Sequence, residues 1–417
     1  MSTLYFDACK GEYLVPAEGR FIAVSWKDAC RHILAGHLPW PAKATDDLPT
    51  NEASLVYVQR KNAVDYSGPL GGHRVGFTQT ASGHRVLVTS ECAAFNAPCK
   101  KGDHLPWLKF LSQLLPEGQV DCFLDWLKVA SESLLKGDFR PGQMVVFAGP
   151  AGCGKSLCQH LVTEVLGGRS AQPYQYMTGE TQFTGHLAGA EHYVIADVAA
   201  NADIRSRRKF GESIKELTVN LDLYVHPKGK QALSLPTFRR LTLSVNDEPE
   251  NLAILPPWDD SLADKLMLFK CDMAEVSPDR KAAWQAFTDS LPAFRHFLKS
   301  WKIPKARADV RFGVRAYHHP ELLSALADLA PETRLLALLD EVIADEIASP
   351  GGWRGTATAL ERLLARSEFA RQCDSLLHGS SSLCGVYLQR LVKTGRIHST
   401  KVNGVTTWTV TATAGRE

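Results

Sequence analysis

The run Gly149-Pro-Ala-Gly152-Cys153-Gly154-Lys155-Ser156 constrains this chain more than any other stretch. It reads G-x-x-x-x-G-K-S. Apolar Met144-Val-Val-Phe147 precedes it, as a buried strand would, and a helical pattern follows through Leu157, Leu161 and Val165. Strand, glycine loop and helix is the setting in which backbone N–H groups turn inward around phosphate oxygens, with a helix dipole behind them. Gly149, Pro150, Ala151, Gly152, Cys153, Gly154, Lys155 and Ser156 are therefore expected to bind the phosphates of a nucleotide. Lys155 brings a positive charge to the β- and γ-phosphates, and the Ser156 hydroxyl is a ligand for Mg²⁺. A chance glycine turn is the plain alternative, and it does not require every fixed position in this context. The loop indicates a nucleotide and leaves the reaction open.

Around that loop, 417 residues leave room for about two to four domains. Apolar residues make up 45% and charged residues 22%, ordinary for a soluble globular protein. No apolar run reaches membrane-spanning length, and the start lacks a basic region followed by an apolar core. A cytoplasmic protein without membrane contact is the expectation. The ten cysteines contain no C-x-x-C pair and read as reduced thiols rather than a disulfide framework or zinc site. Net charge is only +2, but Arg205 to Arg240 holds nine Lys/Arg against three Asp/Glu, and Arg354 to Lys401 eight against three. Two basic segments on a near-neutral chain suggest polyanion contacts, with solvated helix faces as the alternative.

In chain order, residues 1–100 read as a β-rich module. Tyr13-Leu-Val, Phe21-Ile-Ala-Val, Leu55-Val-Tyr-Val and Arg85-Val-Leu-Val-Thr are β-prone runs, with one helix at Trp26–Leu34. The paired carboxylates of a polymerase or primase are absent. Residues 101–140 carry two helical patterns, forming a collar. Residues 141–275 form the α/β core. In it Tyr193-Val-Ile-Ala-Asp197 is an apolar strand ending in an acid, about forty residues beyond the phosphate loop, placed to hold Mg²⁺ with Ser156. Asp222 to Leu235 reads as a β-hairpin with His226, Lys228 and Lys230 at its tip. Arg239-Arg-Leu-Thr-Leu-Ser-Val-Asn246 is a strand ending on an amide that can touch the γ-phosphate or the attacking water; a turn-starting Asn is the plainer role. Residues 276–350 are helical up to Ser349-Pro-Gly-Gly352. Residues 351–417 read as helices at 356–365 and 382–391 and a hairpin signalled by Asn403-Gly404, a winged-helix pattern. Arg390, Lys393 and Arg396 lie near the wing, suited to duplex DNA, and a protein-interaction winged helix is the alternative.

The order of phosphate loop, Asp197, basic hairpin, Asn246 and Asp264-Lys265, within about 120 residues, resembles the superfamily 3 helicases of the AAA+ class. It is similar in particular to the helicase part of primase–helicase proteins from phages, plasmids and integrated elements, and Val64-Asp-Tyr-Ser-Gly-Pro-Leu-Gly-Gly72 resembles the segment preceding such cores. The resemblance implies an AAA+ P-loop fold, a mostly parallel sheet flanked by helices. It implies ATP and Mg²⁺ as cofactors, a homo-hexameric ring, and translocation on single-stranded DNA. By position Lys155, Asp197, Asn246 and Lys265 match the catalytic residues, with Lys228 and Lys230 as the pore hairpin. Two departures stand out. A second acid is expected beside Asp197, where Ala196 and Val198 stand, and Glu191 and Asp203 lack the spacing. The arginine-finger slot holds Lys265, which lacks the planar fork of arginine; Arg205, Arg207, Arg208, Arg239 and Arg240 are alternatives. Priming would fall to a separate primase or polymerase. Against the ring helicase stands an AAA+ nucleotide-dependent switch or defence component that binds nucleic acid without robust unwinding. A small-molecule kinase fits the basic hairpin poorly.

Overall fold

The computed structural model describes residues 3–411 except 117, 197–203, 230, 257, 276–278, 344–346, 348–351, 378–381, 393–394 and 403. Contacts divide the chain into two units, Met1–Leu322 and Leu323–Glu417.

The first unit opens with β1 (Tyr5–Asp7), β2 (Glu12–Ala17), β3 (Arg20–Val24), α1 (Trp26–Leu34), α2 (Thr50–Lys61) and β4 (Ala63–Val64), the strands ordered β3-β2-β1-β4. A second small sheet, β5-β7-β6, is built from β5 (Tyr66–Gly68), β6 (Gly76–Gln79) and β7 (Arg85–Val88). Helix α1 starts where expected, because the Ser25 hydroxyl accepts from the Asp28 N–H. The run Leu55-Val-Tyr-Val58 corrects the sequence expectation: it lies in α2, not in a strand. Helix-compatible residues flank it on both sides, and the helical period gathers Ala53, Ser54 and Val58 on the buried face.

The core follows α3 (Leu105–Leu114) and α4 (Gln119–Lys136). Its elements are β8 (Met144–Ala148), α5 (Lys155–Val165), β9 (Ser170–Ala171), α6 (Tyr174–Thr178), β10 (His192–Ile195), α7 (Ile204–Val219), β11 (Asp222–Val225), β12 (Leu233–Pro236), β13 (Arg240–Val245), α8 (Pro249–Leu252), α9 (Asp260–Ala263), β14 (Leu266–Lys270) and α10 (Arg280–Ser300). Five of the strands make one sheet in the order β14-β8-β13-β10-β9, and every pair in it is parallel. Strands β8 and β13 are buried along their whole length, as a parallel sheet covered on both faces requires. Helices α3, α4, α5 and α10 supply one cover through an aromatic-rich cluster in which Trp107 stacks on Phe294 at 4.3 Å. Parallel strands bring the ends of β8, β10, β13 and β14 to one edge, the usual place for a ligand. The unit closes with the short strands β15 (Ala308–Asp309) and β16 (Gly313–Val314) and runs into α11 (Pro320–Asp328).

The glycines of Gly68-Pro-Leu-Gly-Gly72 fix the N-terminal sheets to this core. Gly71 N–H donates to Ala188 O and Phe238 N–H to Gly71 O. A Cβ on Gly71 would stand 2.6 Å from Phe238 O, so only glycine permits this approach. Gly72 N–H donates to Glu191 Oε1, and buried Glu191 pairs with Arg169.

The second unit holds α12 (Pro331–Val342), β17 (Trp353–Gly355), α13 (Ala357–Leu364), α14 (Ala370–Leu377), α15 (Leu383–Leu391), β18 (Ile397–Val402) and β19 (Val405–Val410). Its antiparallel sheet is ordered β17-β19-β18, over a core of Leu335, Leu339, Leu360, Leu388 and Trp408. The two expected helices and the final hairpin are present, with Gly404 at φ +80° in the turn. Helix α14 and strand β17 were not anticipated: α14 offers only Cys373 and Leu376 as fully buried apolar anchors, and β17 has three residues. Among the described residues no helix is long and apolar enough to cross a membrane.

Candidate nucleotide and nucleic-acid sites

The phosphate loop leaves β8 and is held by neighbours on both sides. Gly149 N–H donates to Val245 O at 3.2 Å, Cys271 N–H to Ala148 O at 2.6 Å, and Ala274 N–H to Cys153 O at 3.2 Å. A Cβ on Gly149 would overlap Cys271 O. Gly152 and Gly154 take φ of +77° and +115°, which side chains rarely adopt. No backbone acceptor for the N–H groups of Gly152, Gly154 and Ser156 is found among the described residues, while the Lys155 N–H faces the Cys153 thiol. Orphaned donors at the start of an eleven-residue helix form an anion cradle, so the residues present fit a nucleotide's phosphates.

Lys155 is 7% exposed. Its Nζ donates to Gly149 O at 2.7 Å, Pro150 O at 2.8 Å and Asn246 Oδ1 at 3.1 Å. Two residues singled out 91 positions apart in the sequence therefore meet, because β13 lies beside β8 and Asn246 follows its last residue. Ser156 is exposed at the same edge. The Cys153 thiol sits 3.9 Å from Lys155 Nζ. A hydrogen bond from Cys271, with help from the Lys155 charge, lowers its pKa to about 6 against the opposing effect of burial. Burial and that donated hydrogen bond push Cys271 well above the usual range. Asp197 and its neighbour Val198 lie outside the described residues. Glu191 is fully buried at the start of β10, away from the phosphate loop, with a structural role.

The arginine-finger candidates are narrowed. Lys265 precedes β14, at the sheet edge opposite the loop, and its side chain is 12% exposed. Its Nζ donates to Ser261 O and Asp264 Oδ1 at 2.8 and 2.6 Å, away from its own chain's phosphate loop; the sequence reading assigns it to a neighbouring subunit's site. Arg239 and Arg240 are buried within the core. Arg239 caps the chain after α7 through Leu217 O and Leu221 O, and Arg240 is sealed at the start of β13. Arg207 donates to Leu255 O. Arg208 is exposed on α7 and has no partner among the described residues.

The β11–β12 hairpin is antiparallel, with Val225 opposite Leu233. Lys228 is exposed at its tip without a partner among the described residues, beside Gly229 at φ +74°. Lys230 lies outside the described residues. A second loop supports this tip: Thr184 N–H donates to His226 O at 3.1 Å, and His226 N–H to Thr184 Oγ1 at 2.8 Å. It brings Phe183, 37% exposed, to 5.3 Å from the His226 ring. Sequence reasoning missed Phe183; a lone aromatic in the polar run Thr181-Gln-Phe-Thr-Gly-His186 was the available signal.

In the second unit, Arg396, expected as a phosphate contact, has a carboxylate partner within the chain. It forms a two-pronged pair with Asp340, and its Nε donates to Thr411 O at 3.1 Å. Arg390 pairs with Glu332 at 3.2 Å and stays half-exposed. Lys393 lies outside the described residues.

Residues 147–261 match a family described as a family of unknown function (DUF5906). No curated protein sequence matches the chain. Among solved structures, the apo structure of the NrS-1 C terminal region (305–718) aligns with a TM-score of 0.60 at 13% identity, over 98% of this chain and 96% of that one. The A form apo structure of the same region aligns at 0.57, with the same identity and coverage. A JCV helicase crystal structure aligns over 70% of this chain and 65% of that one at 14% identity, with a TM-score of 0.27, too low to bear on the fold. Over nearly its whole length, the chain shares the fold of the NrS-1 C terminal region.

Proposed function

We propose that this chain is an ATP-dependent ring helicase of the superfamily 3 type, moving on single-stranded nucleic acid in the replication of a phage, plasmid or integrated element. The contact between Lys155 and Asn246 carries the reading. It joins a complete phosphate loop to the end of the central strand, at the sheet edge where ligands bind. In this reading Gly149 to Ser156 hold the phosphates of ATP, and Ser156 with Asp197 holds Mg²⁺, which when bound neutralises charge on the phosphates. Lys155 exchanges the carbonyls of Gly149 and Pro150 for phosphate oxygens while Asn246 fixes its position. Lys265, or exposed Arg208, is the candidate for a charge supplied to a neighbouring subunit's site.

Six hairpins around a pore place His226, Lys228 and Lys230 against a strand's phosphates, with Phe183 as a stacking surface. The second unit is read as a winged helix that contacts duplex DNA through Arg390 and Lys393. Priming belongs to a separate primase or polymerase. ATP turnover with and without single-stranded DNA, and strand separation on a forked substrate, test the proposal. Stimulated turnover and unwinding that Lys155→Ala abolishes are expected; turnover indifferent to nucleic acid, with no unwinding, overturns it.

Ala196 and Val198 favour a second reading, since neither supplies the expected acid beside Asp197. It is a nucleotide-dependent switch that binds nucleic acid without robust unwinding. Tight ATP binding with slow turnover and intact strand binding separates it from the first.

A further inference from the structure

Beneath the phosphate loop the fully buried side chains of Gln159, His192 and Thr242 join half-buried Thr163 in a set of polar contacts that closes on itself. Gln159 lies on α5, one turn beyond Lys155, with no exposed surface. Its Nε2 donates to Thr242 Oγ1 at 2.9 Å and to Ile195 O at 3.1 Å. Thr242 Oγ1 contacts His192 Nε2 at 2.9 Å, and His192 Nδ1 contacts Thr163 Oγ1 at 2.7 Å. Thr163 Oγ1 donates to Gln159 O at 3.1 Å, returning to the starting residue.

One assignment of hydrogens satisfies both hydroxyls and the imidazole. An amide nitrogen only donates, so Thr242 Oγ1 accepts from Gln159; in this assignment its own hydrogen goes to His192 Nε2. The Thr163 hydrogen goes to Gln159 O, and the Thr163 oxygen accepts from His192 Nδ1–H. Each hydroxyl accepts one hydrogen and gives one, and His192 is neutral. Burial, with His160 nearby as a smaller cause, lowers the His192 pKa to about 3 and keeps it so.

The ring touches the three elements that lead into the nucleotide site. Gln159 follows Ser156 by three positions on α5. Ile195 ends β10 and precedes Asp197 by two positions. Thr242 lies on β13 four positions before Asn246, and Thr242, Ser244 and Asn246 alternate onto one face of that strand. A helix packed on a sheet needs only apolar side chains to bury its face. Polar groups sealed at this junction add direction, since sliding any one element breaks bonds to both others.

Building on the nucleotide site described under Proposed function, we propose that Gln159, Thr242 and His192 are positioning residues. They set the register of the phosphate-loop helix against the ends of β10 and β13, so that Ser156 and Asn246 meet the same nucleotide and its metal. They touch neither ATP nor Mg²⁺ and act through the residues they hold.

The test measures ATP affinity of the full chain with Mg²⁺ and with EDTA, together with turnover, in wild type, Gln159→Leu, Thr242→Val and Thr242→Ser. Metal-free affinity stays near wild type in all four. The tightening of ATP binding by Mg²⁺, and turnover, fall about tenfold or more in Gln159→Leu and Thr242→Val, the range seen when a ligand's supporting hydrogen bond is removed. Thr242→Ser keeps the hydroxyl and keeps both. Thr242→Val is nearly isosteric, so it answers the question even where Gln159→Leu fails to fold. A merely structural role lowers the melting temperature and leaves the ratio of the two affinities unchanged. Wild-type metal tightening and turnover in a folded Thr242→Val variant overturns the proposal. Failure of the nucleotide-site reading is distinguished before any variant is made: wild type then binds ATP under neither condition, and the positioning role falls with it.

Discussion

Lys155 and Lys228 both sit in glycine-containing turns of the same core, and the fold treats their charges in opposite ways. Lys155 is nearly sealed and donates to Gly149 O, Pro150 O and Asn246 Oδ1. Lys228 stands in solvent with no partner among the described residues. A buried ammonium must be hydrogen-bonded or it costs several kcal/mol, so the loop carbonyls hold its charge in place. An exposed lysine contributes little to folding, about 0–1 kcal/mol even when paired. In the proposed function the first arrangement holds a cation ready for phosphate oxygens, and the second leaves a charge for a nucleic-acid strand. Burial with partners and exposure without them are thus two marks of function, and each can be broken separately.

The largest effect is expected on the buried side. Lys155→Ala removes three charge-assisted contacts and leaves Asn246 Oδ1 without its donor. ATP affinity should fall about 100-fold or more, since hydrogen bonds to a charged group contribute about 1.5–3 kcal/mol each. Titration with a fluorescent ATP analogue measures it, and unchanged affinity would break the comparison at its stronger end.

A second effect tests burial through pH. His192 has a folded pKa of about 3, lowered by burial and then by His160, against an ordinary value of 6.5. The group is neutral in both states above 6.5, so stability is indifferent to it there. Below 6.5 the unfolded chain takes up a proton that the folded chain refuses, and stability falls as pH falls, levelling only near the folded value. The slope approaches about 1.4 kcal/mol per pH unit. Unfolding free energies from urea titrations at pH 7 and pH 5 should diverge by up to about 2 kcal/mol more in wild type than in His192→Gln. Equal pH dependence in the two proteins would mean that His192 is protonated inside the fold and the hydrogen-bond ring is misassigned.

The sequence revealed the buried site more fully than the exposed one. The spacing of Gly149, Gly154, Lys155 and Ser156 follows from backbone geometry around a phosphate, so it is legible without a structure. Asn246 was legible as a strand end; its contact with Lys155 needed the strand order that puts β13 beside β8. The Gln159 ring was invisible, because its members come from one helix and two strands far apart in the chain. Leu55-Val-Tyr-Val58 misled for a local reason, since four β-prone residues sat inside a longer helical period. Arg396 shows another limit. Sequence shows its positive charge but not the carboxylate of Asp340 that the fold brings to it.

On the exposed side the effects are smaller. Lys228→Ala with Lys230→Ala should leave ATP binding and assembly intact and weaken single-strand binding about tenfold. Loss of two phosphate contacts should flatten the slope of log affinity against log salt by about 1.4. DNA stimulation of ATP turnover should disappear with it. Phe183→Ala, which removes the ring beside His226, should weaken binding with the salt slope unchanged, because stacking releases no counterions. A double lysine variant that binds single strands as tightly as wild type at the same salt would remove the functional meaning of an unpaired cation here.

The smallest effect comes from Arg396, which the comparison places on the structural side despite its basic neighbourhood. Its side chain is 14% exposed and Asp340 is 43% exposed, so the pair is half-screened by solvent. A pair of this kind contributes at most about 1 kcal/mol, with two-pronged geometry toward the upper end. The Nε donation to Thr411 O adds a tie between the start of β18 and the chain beyond β19. Arg396→Ala should therefore lower the second unit's melting temperature by a few degrees in the full chain, on the order of 1 kcal/mol. Duplex affinity should stay within about twofold of wild type, and the salt slope should not move, because a guanidinium already paired with Asp340 releases no counterion from DNA. Asp340→Asn gives the opposite arm. It frees Arg396 from its charged partner, so duplex affinity should rise slightly and the salt slope steepen by up to about 0.9, the increment of one phosphate contact. Should Arg396→Ala weaken duplex binding with no loss of stability, the pair opens on DNA, and pairing in the free protein ceases to separate structural from recognition cations.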